Sequence, residues 1–188
     1  MGIKIALSGK LRSGKTTVRE LFENIGKDEY NIDFINLPLA TPIYKEAHSF
    51  YERHGLVWDT KPRKLLEGIG EALNDKYPHG DKIVELYKDE LETKIQDNIL
   101  IDDMRRTTQA NFLKERGFKL IRIECTDGIR KYRCLPGEWS EGSITDIELD
   151  DYGNFDYKIV NNEPSTETGL KNLTKYVKSI LDDIISKG

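Results

Sequence analysis

The segment Ile3-Lys4-Ile5-Ala6-Leu7-Ser8-Gly9-Lys10-Leu11-Arg12-Ser13-Gly14-Lys15-Thr16-Thr17 restricts the possible folds more than any other part of the chain. A short apolar run ends at Gly9, four variable residues follow, and Gly14-Lys15-Thr16 closes the pattern G-x-x-x-x-G-K-[ST]. Val18, Leu21, Phe22 and Ile25 then recur at i, i+3, i+4 and i+7, the period of an amphipathic helix. A strand, a glycine loop and a helix in that order make a phosphate-binding loop. Its glycines let backbone N–H groups converge on anionic oxygens, and the helix adds the positive end of its dipole. In such a loop Lys15 reaches the β- and γ-phosphates of a nucleoside triphosphate and the Thr16 hydroxyl ligates Mg²⁺. Gly9, Arg12, Ser13, Gly14 and Thr17 complete the predicted ATP cradle.

Composition sets wider limits. The 188 residues suit one domain with a full hydrophobic core. A net charge of −4 argues against nonspecific nucleic-acid binding, which needs a basic footprint. Cys125 and Cys134 form no metal-binding or C-x-x-C pattern and are expected as reduced thiols. The N-terminal apolar run is too short for a signal peptide, and no run approaches membrane-spanning length. A soluble, cytoplasmic protein without a membrane partner is expected.

Past the first helix, Gly26 and the polar residues to Asn31 predict a turn, and Asp33–Leu37 a second strand. Ile43, Ala47 and Phe50 predict a helix stopped by Gly55. Trp58 to Pro62 reads as the start of another helix, capped by Asp59 or Thr60 with Pro62 in its first turn. That helix carries a stripe of Leu65, Leu66, Ile69 and Leu73. Pro78-His79-Gly80 breaks the chain before a long amphipathic helix with Ile83, Val84, Tyr87, Leu91 and Ile95 on one face. Residues 98–101 form a short apolar strand that delivers Asp102, Asp103, Arg105 and Arg106 at its carboxyl end. A helix to Gly117, a strand around 120–123, a long polar excursion from Thr126 to Phe155, a strand at 156–160 and a last helix opened by Pro164-Ser165 complete the order.

Alternating strands and helices predict an α/β fold, three layers around a mostly parallel five-stranded sheet, with ligands at the carboxyl ends of the strands. Asp102 and Asp103 stand where a phosphate-loop protein completes its Mg²⁺ shell; helix capping is the alternative use of the pair. Arg105 and Arg106 suit a second phosphate group, since guanidinium forks bind phosphate bidentately. Arg130 and Arg133, in the polar excursion, could close over a transferring phosphoryl group, or be ordinary solvated loop residues. Lys45 and Arg63 lie in the helical region between the second and third strands, and Arg63 stands in the first turn of its helix. A phosphate acceptor is already anionic at neutral pH, so positioning and positive charge suffice without a dedicated base.

The order of these parts resembles the nucleoside monophosphate kinases of the adenylate kinase type, and more narrowly the bacteriophage-type deoxynucleoside monophosphate kinases. The resemblance rests on Gly9 to Thr17, on Pro42-Ile43-Tyr44-Lys45-Glu46-Ala47, on Asn98 to Arg106 and on Asp156 to Asn162. Pro62 to Gly70 is similar to the family's R-x-L-L-x-x-x-G helix. The resemblance implies a core of 1–37, 98–125 and 156–188, an acceptor-binding helical region of 38–97 and a lid of 126–155. It implies MgATP as donor and a (deoxy)nucleoside monophosphate as acceptor. Lys15, Asp103, Arg105, Arg130 and Arg133 are then catalytic, Lys45, Arg63, Arg105 and Arg106 bind the acceptor, and Asn162 lies at the donor base. Thr16 with Asp102 or Asp103 holds the metal. Both Asp103-x-Arg105 and the longer Asp102–Arg106 spacing fit family patterns, and a homodimer is left open.

Two rival readings keep the loop. One changes the acceptor to a nucleoside or another small metabolite such as dephospho-coenzyme A, with Asp102 or Asp103 as general base. The other is a non-enzymatic nucleotide-binding switch. Against the switch, no guanine-reading N-K-x-D occurs, and the D-x-x-G at Asp150–Gly153 falls in the polar excursion rather than after a strand.

Overall fold

In the computed structural model, which describes residues 2–75, 81–135, 139, 147–163 and 166–187, the first helix outruns its predicted end. After strand β1 (Lys4–Ser8), helix α1 runs Lys15–Tyr30, straight through Gly26. The reversal is made instead by Asn31, whose φ of 54° is left-handed and whose N–H bonds to the Gly26 carbonyl. Asparagine tolerates this conformation better than most residues, so it serves where a C-terminal glycine was anticipated. Val18, Phe22 and Ile25 are buried along the predicted stripe.

The other elements are β2 (Phe34–Asn36), α2 (Thr41–Arg53), α3 (Arg63–Asp75), α4 (Lys82–Lys94), β3 (Asn98–Ile101), α5 (Thr107–Glu115), β4 (Lys119–Glu124), α6 (Asp127–Tyr132), β5 (Tyr157–Val160) and α7 (Glu167–Lys187). All five strands are parallel in the order β2-β3-β1-β4-β5. Ala6 of β1 stands between Ile101 of β3 and Leu120 of β4. This is the α/β fold anticipated from the alternation of elements. Ile5, Leu7, Leu100, Ile121, Ile123 and Ile159 pack one sheet face against Val18 and Phe22 of α1 and Leu173, Val177 and Leu181 of α7. On the opposite face Ala6, Ile99, Ile101 and Leu120 are buried, and α5 packs along β4.

The sheet with α1, α5, α6 and α7 makes one compact unit, and Leu37–Ile95, with α2, α3 and α4, makes another. In the helical unit Ile43, Ala47, Leu66 and Ile83 form a small core. The Tyr87 hydroxyl donates to the Leu37 carbonyl at 2.7 Å. Beside this core His48 stacks on Trp58 with ring centres 3.9 Å apart, and Tyr51 tilts against the same indole at 5.0 Å.

Three expectations need correction here. Phe50 is exposed rather than part of the α2 stripe, because it turns toward Tyr51 and His54 at the end of the helix. Pro62 sits just before α3, its carbonyl accepting from Leu66 N–H at 3.1 Å, while the Thr60 hydroxyl bonds to Asp59 instead of capping. The excursion after β4 opens with α6, too short to show a period in sequence. The Pro78-His79-Gly80 break, the Pro164-Ser165 opening and residues 136–138 and 140–146 of the excursion lie outside the described residues. Among the described residues no helix is long and apolar enough to cross a membrane.

The cap at Asn31 gives a direct test of this chain reversal. Asn31→Val forces a β-branched residue into the left-handed region and should destabilise the protein by about 1–2 kcal/mol, whereas Asn31→Gly should not destabilise it. Urea unfolding midpoints at constant slope decide between the two.

Candidate functional site

The loop between β1 and α1 owes its shape to two glycines under different constraints. Gly14 has φ 100° and ψ 22°, and a Cβ there would stand 2.3 Å from Asn161 Nδ2. Gly9 is required by close approach alone: a Cβ would stand 2.5 Å from Ser13 Oγ and 2.7 Å from the Ile123 carbonyl oxygen. Arg12 is left-handed too, at φ 59°, although it carries a side chain, a conformation that costs about 1–2 kcal/mol. Left-handed residues in such a turn point successive N–H groups toward one concavity, which is an anion-binding nest. Ser13 N–H donates to the Lys10 carbonyl at 3.1 Å, and Val18 N–H to that of Gly14 at 3.0 Å, joining loop to helix. Lys15 Nζ donates to the carbonyls of Gly9 at 2.6 Å and Lys10 at 3.0 Å, so the ammonium is held against the loop. Thr16 and Thr17 are exposed in the first turn of α1.

Beside the loop, β3 ends at the two aspartates. Arg19 of α1 donates Nε to Asp102 Oδ2 at 3.1 Å and Nη1 to both oxygens of Glu23 at 2.7 and 2.8 Å. Burial opposes the Arg19 charge, but the bond to Glu23 and the charges of Glu23, Asp102 and Glu20 outweigh it and raise its pKa. Asp102 is therefore anchored to α1. Asp103 is half-buried next to it. The buried Gln109 holds the following turn, accepting from Arg105 N–H at 2.9 Å and Arg106 N–H at 3.2 Å. Arg105 is exposed, and Arg106 Nε lies 3.8 Å from Glu148. Thr16 and the two aspartates are oxygen donors, the chemistry that suits Mg²⁺.

Arg130, in α6, and Arg133, which ends it, face the outer side of the loop. Arg130 Nη1 donates to the Leu11 carbonyl at 3.1 Å and Nη2 to Asp127 at 2.7 Å, with its guanidinium 4.9 Å from the Trp139 ring centre. Arg133 Nη1 donates to the Arg12 carbonyl at 3.3 Å. Asn162, the residue anticipated at the donor base, is exposed and accepts from Thr126 N–H at 2.8 Å. Next to it opens a groove of about 470 Å³ lined by Val160, Asn162, Glu163, Asn172, Lys175, Tyr176 and Ser179. Lys45 and Arg63 belong to the helical unit. Lys45 Nζ pairs with Glu90 at 2.9 Å, and Arg63 is the exposed first residue of α3.

Three supports of the loop were not assigned that role from the sequence. Asn161, nine-tenths buried, donates Nδ2 to the Ser13 carbonyl at 2.8 Å. Arg122 donates to Ser8 Oγ at 2.8 Å and to the Asp150 carboxylate. Asp150 also pairs with Lys10 of the loop at 2.5 Å. The D-x-x-G pattern marked Asp150, though for a different use. Nothing local distinguished Asn161 from its neighbour Asn162.

With this geometry in hand, comparison with solved structures places the fold. The shikimate kinase of Bacteroides thetaiotaomicron matches with a TM-score of 0.56 at 17% identity over 96% of this chain and 98% of its own. The shikimate kinase of Aquifex aeolicus matches with a TM-score of 0.54 at 21% identity over 99% of this chain and all of its own. The APS kinase of Mycobacterium tuberculosis, solved with AMPPNP and APS, matches with a TM-score of 0.54 at 12% identity over 96% of both chains. No protein-family model and no curated protein matches the chain. The chain thus shares the α/β fold of these kinases.

One thiol reports on this site. Burial pushes the Cys125 pKa up, against the lowering influence of Arg133 and Arg130. Less thiolate forms at a given pH, so iodoacetamide should label Cys125 more slowly in the folded protein than in urea. The folded-state pH–rate midpoint, followed by mass spectrometry, should lie above the ordinary thiol value; a midpoint below it contradicts this assignment.

Proposed function

We propose that the chain is a (deoxy)nucleoside monophosphate kinase that transfers the γ-phosphoryl group of MgATP to a (deoxy)nucleoside monophosphate, giving the diphosphate. The observation that carries this reading is the loop from Gly9 to Lys15. Its left-handed Arg12 and Gly14, the ammonium of Lys15 and the start of α1 form a triphosphate cradle in a P-loop kinase fold. In this reading Lys15 follows the phosphoryl group between donor and acceptor, and its positive charge offsets the charge that spreads over the transferring oxygens. Thr16 and the aspartates at the end of β3 hold the Mg²⁺ that accompanies ATP. Asp102, anchored by Arg19, is the better-positioned carboxylate. Arg105 and Arg106 accept the phosphates between which transfer occurs, and Lys45 and Arg63 take the acceptor phosphate. The acceptor choice rests on the resemblance in residues 42–47, 62–70 and 98–106, together with an acceptor that needs no general base.

A second reading keeps MgATP and replaces the acceptor with a hydroxyl of a small metabolite. The names of the structural neighbours, shikimate kinase and APS kinase, favour it. Here Asp102 or Asp103, at the end of β3, would serve as a general base. The protein in either reading is a small-molecule phosphotransferase, with no role for nucleic acid or a membrane.

A coupled ADP-release assay over deoxynucleoside and ribonucleoside monophosphates, nucleosides, shikimate and APS separates the two. At least one monophosphate should act as acceptor, and Lys15→Ala should lower kcat/KM by about 100-fold or more. Turnover of a hydroxyl acceptor alone would move the assignment to the second reading, and activity unchanged in Lys15→Ala would remove both. Asp102→Asn should raise the Mg²⁺ concentration needed for half-maximal rate about tenfold, with Arg19→Ala shifting it in the same direction by less.

A further inference from the structure

Three consecutive carbonyl groups of the phosphate loop are engaged from outside by side chains that come from the far end of the chain. The Leu11 carbonyl accepts from Arg130 at 3.1 Å and the Arg12 carbonyl from Arg133 at 3.3 Å. The Ser13 carbonyl accepts from Asn161 Nδ2 at 2.8 Å and from Arg133 at 3.5 Å. In a trans peptide unit the C=O and the following N–H point in opposite directions. Holding these three carbonyls on one side therefore turns the N–H groups of Arg12, Ser13 and Gly14 to the other. Ser13 N–H is taken by the Lys10 carbonyl within the turn, which leaves those of Arg12 and Gly14 directed away from the brace.

The brace is itself fixed. Asn161 Oδ1 accepts from Arg133 Nη2 at 3.1 Å, which sets the amide so that Nδ2 faces Ser13. Asn161 N–H donates to the Glu124 carbonyl at 2.8 Å and ties the residue to the end of β4. Arg133 Nη2 also donates to the carbonyls of Asn161 at 3.3 Å and Glu163. Its two terminal nitrogens are thus committed to protein acceptors. The Nε atoms of Arg130 and Arg133 are buried with no acceptor among the described residues, an unfavourable state that ion pairing does not explain. The carbonyls they hold flank Arg12, the one left-handed residue of the loop that carries a side chain. Strain kept in place by surrounding contacts is characteristic of sites that must be preorganised.

We infer that Arg133 and Asn161, assisted by Arg130, are positioning residues that hold the loop carbonyls outward and so aim its N–H groups at the phosphates of the nucleotide. This rests on the phosphate-loop part of the proposed function and is independent of the acceptor. It differs from a role in which these arginines reach the transferring phosphoryl group directly, because Asn161 carries no charge and acts through the same peptide unit.

The test uses the full chain and the variants Arg133→Ala, Asn161→Ala and the double variant. Amide hydrogen exchange of residues 12–15, followed by NMR without any ligand, should accelerate in both single variants. Calorimetric Kd values for magnesium tripolyphosphate should rise about tenfold in each single variant, with the double variant showing less than the product of the two. With the acceptor found in the panel above, kcat of Asn161→Ala at saturating ATP should stay within about threefold of the parent. Unchanged loop exchange overturns the inference, as does a fall in kcat of about 100-fold at unchanged Kd, the signature of direct contact with the transferring group. If Arg133→Ala does not fold, Asn161→Ala alone decides by the same readouts. Failure of the parent protein to bind tripolyphosphate would instead remove the phosphate-loop reading, and loop exchange would still judge the brace.

Discussion

Parallel pairing is the constraint on which the rest of the structure depends. β1 lies between β3 and β4 in the same direction, so Ser8, Ile101 and Glu124 all deliver their loops to one edge of the sheet. β5 adds Val160 and then Asn161 beside Glu124. Four segments distant in sequence thus meet because their strands cannot end anywhere else. The phosphate loop, the aspartates and the Asn161 brace are consequences of that register. The register in turn is held by the core of Ile5, Leu7, Leu100, Ile121 and Ile159 against α1 and α7. A slip of one residue would turn that apolar face away from the helices.

What could be read in advance was local. The phosphate loop is a contiguous pattern with a strand before it and a helix after it, and the alternation of elements was enough for the fold class. α4 was equally plain, with Ile83, Tyr87 and Leu91 buried on the predicted face. Local rules failed where two residues could perform one task. Gly26 looked like the end of α1, but Asn31 makes the reversal. α6 was hidden because six residues are too few to establish a period. The supports of the loop were hidden for another reason: Asn161 meets Ser13 only after β5 has been placed beside β4. No spacing rule carries that information.

Charged side chains near the loop are mostly engaged in local pairs. Several cations around the loop face carboxylates: Lys10 and Arg122 share Asp150, Arg130 pairs with Asp127, and Arg19 pairs with Glu23 and Asp102, while Arg133 is held by carbonyl and amide oxygens. Pairing lowers the cost of holding the Arg122 and Arg130 guanidinium groups away from water. Lys15 Nζ donates to the carbonyls of Gly9 and Lys10.

The aromatic packing of the two units has an optical consequence. The chain has two tryptophans, and they fall one in each unit. Trp58 stacks on His48 in the helical unit, while Trp139 lies against the cationic groups of Arg130 and Lys131 next to the loop-bracing helix. Their emission is sensitive to different surroundings, imidazole in one case and guanidinium and ammonium in the other. Replacing either indole by phenylalanine leaves a single tryptophan, which red-edge excitation selects over the nine tyrosines, so events at the loop and events in the helical unit can be recorded separately without an added label.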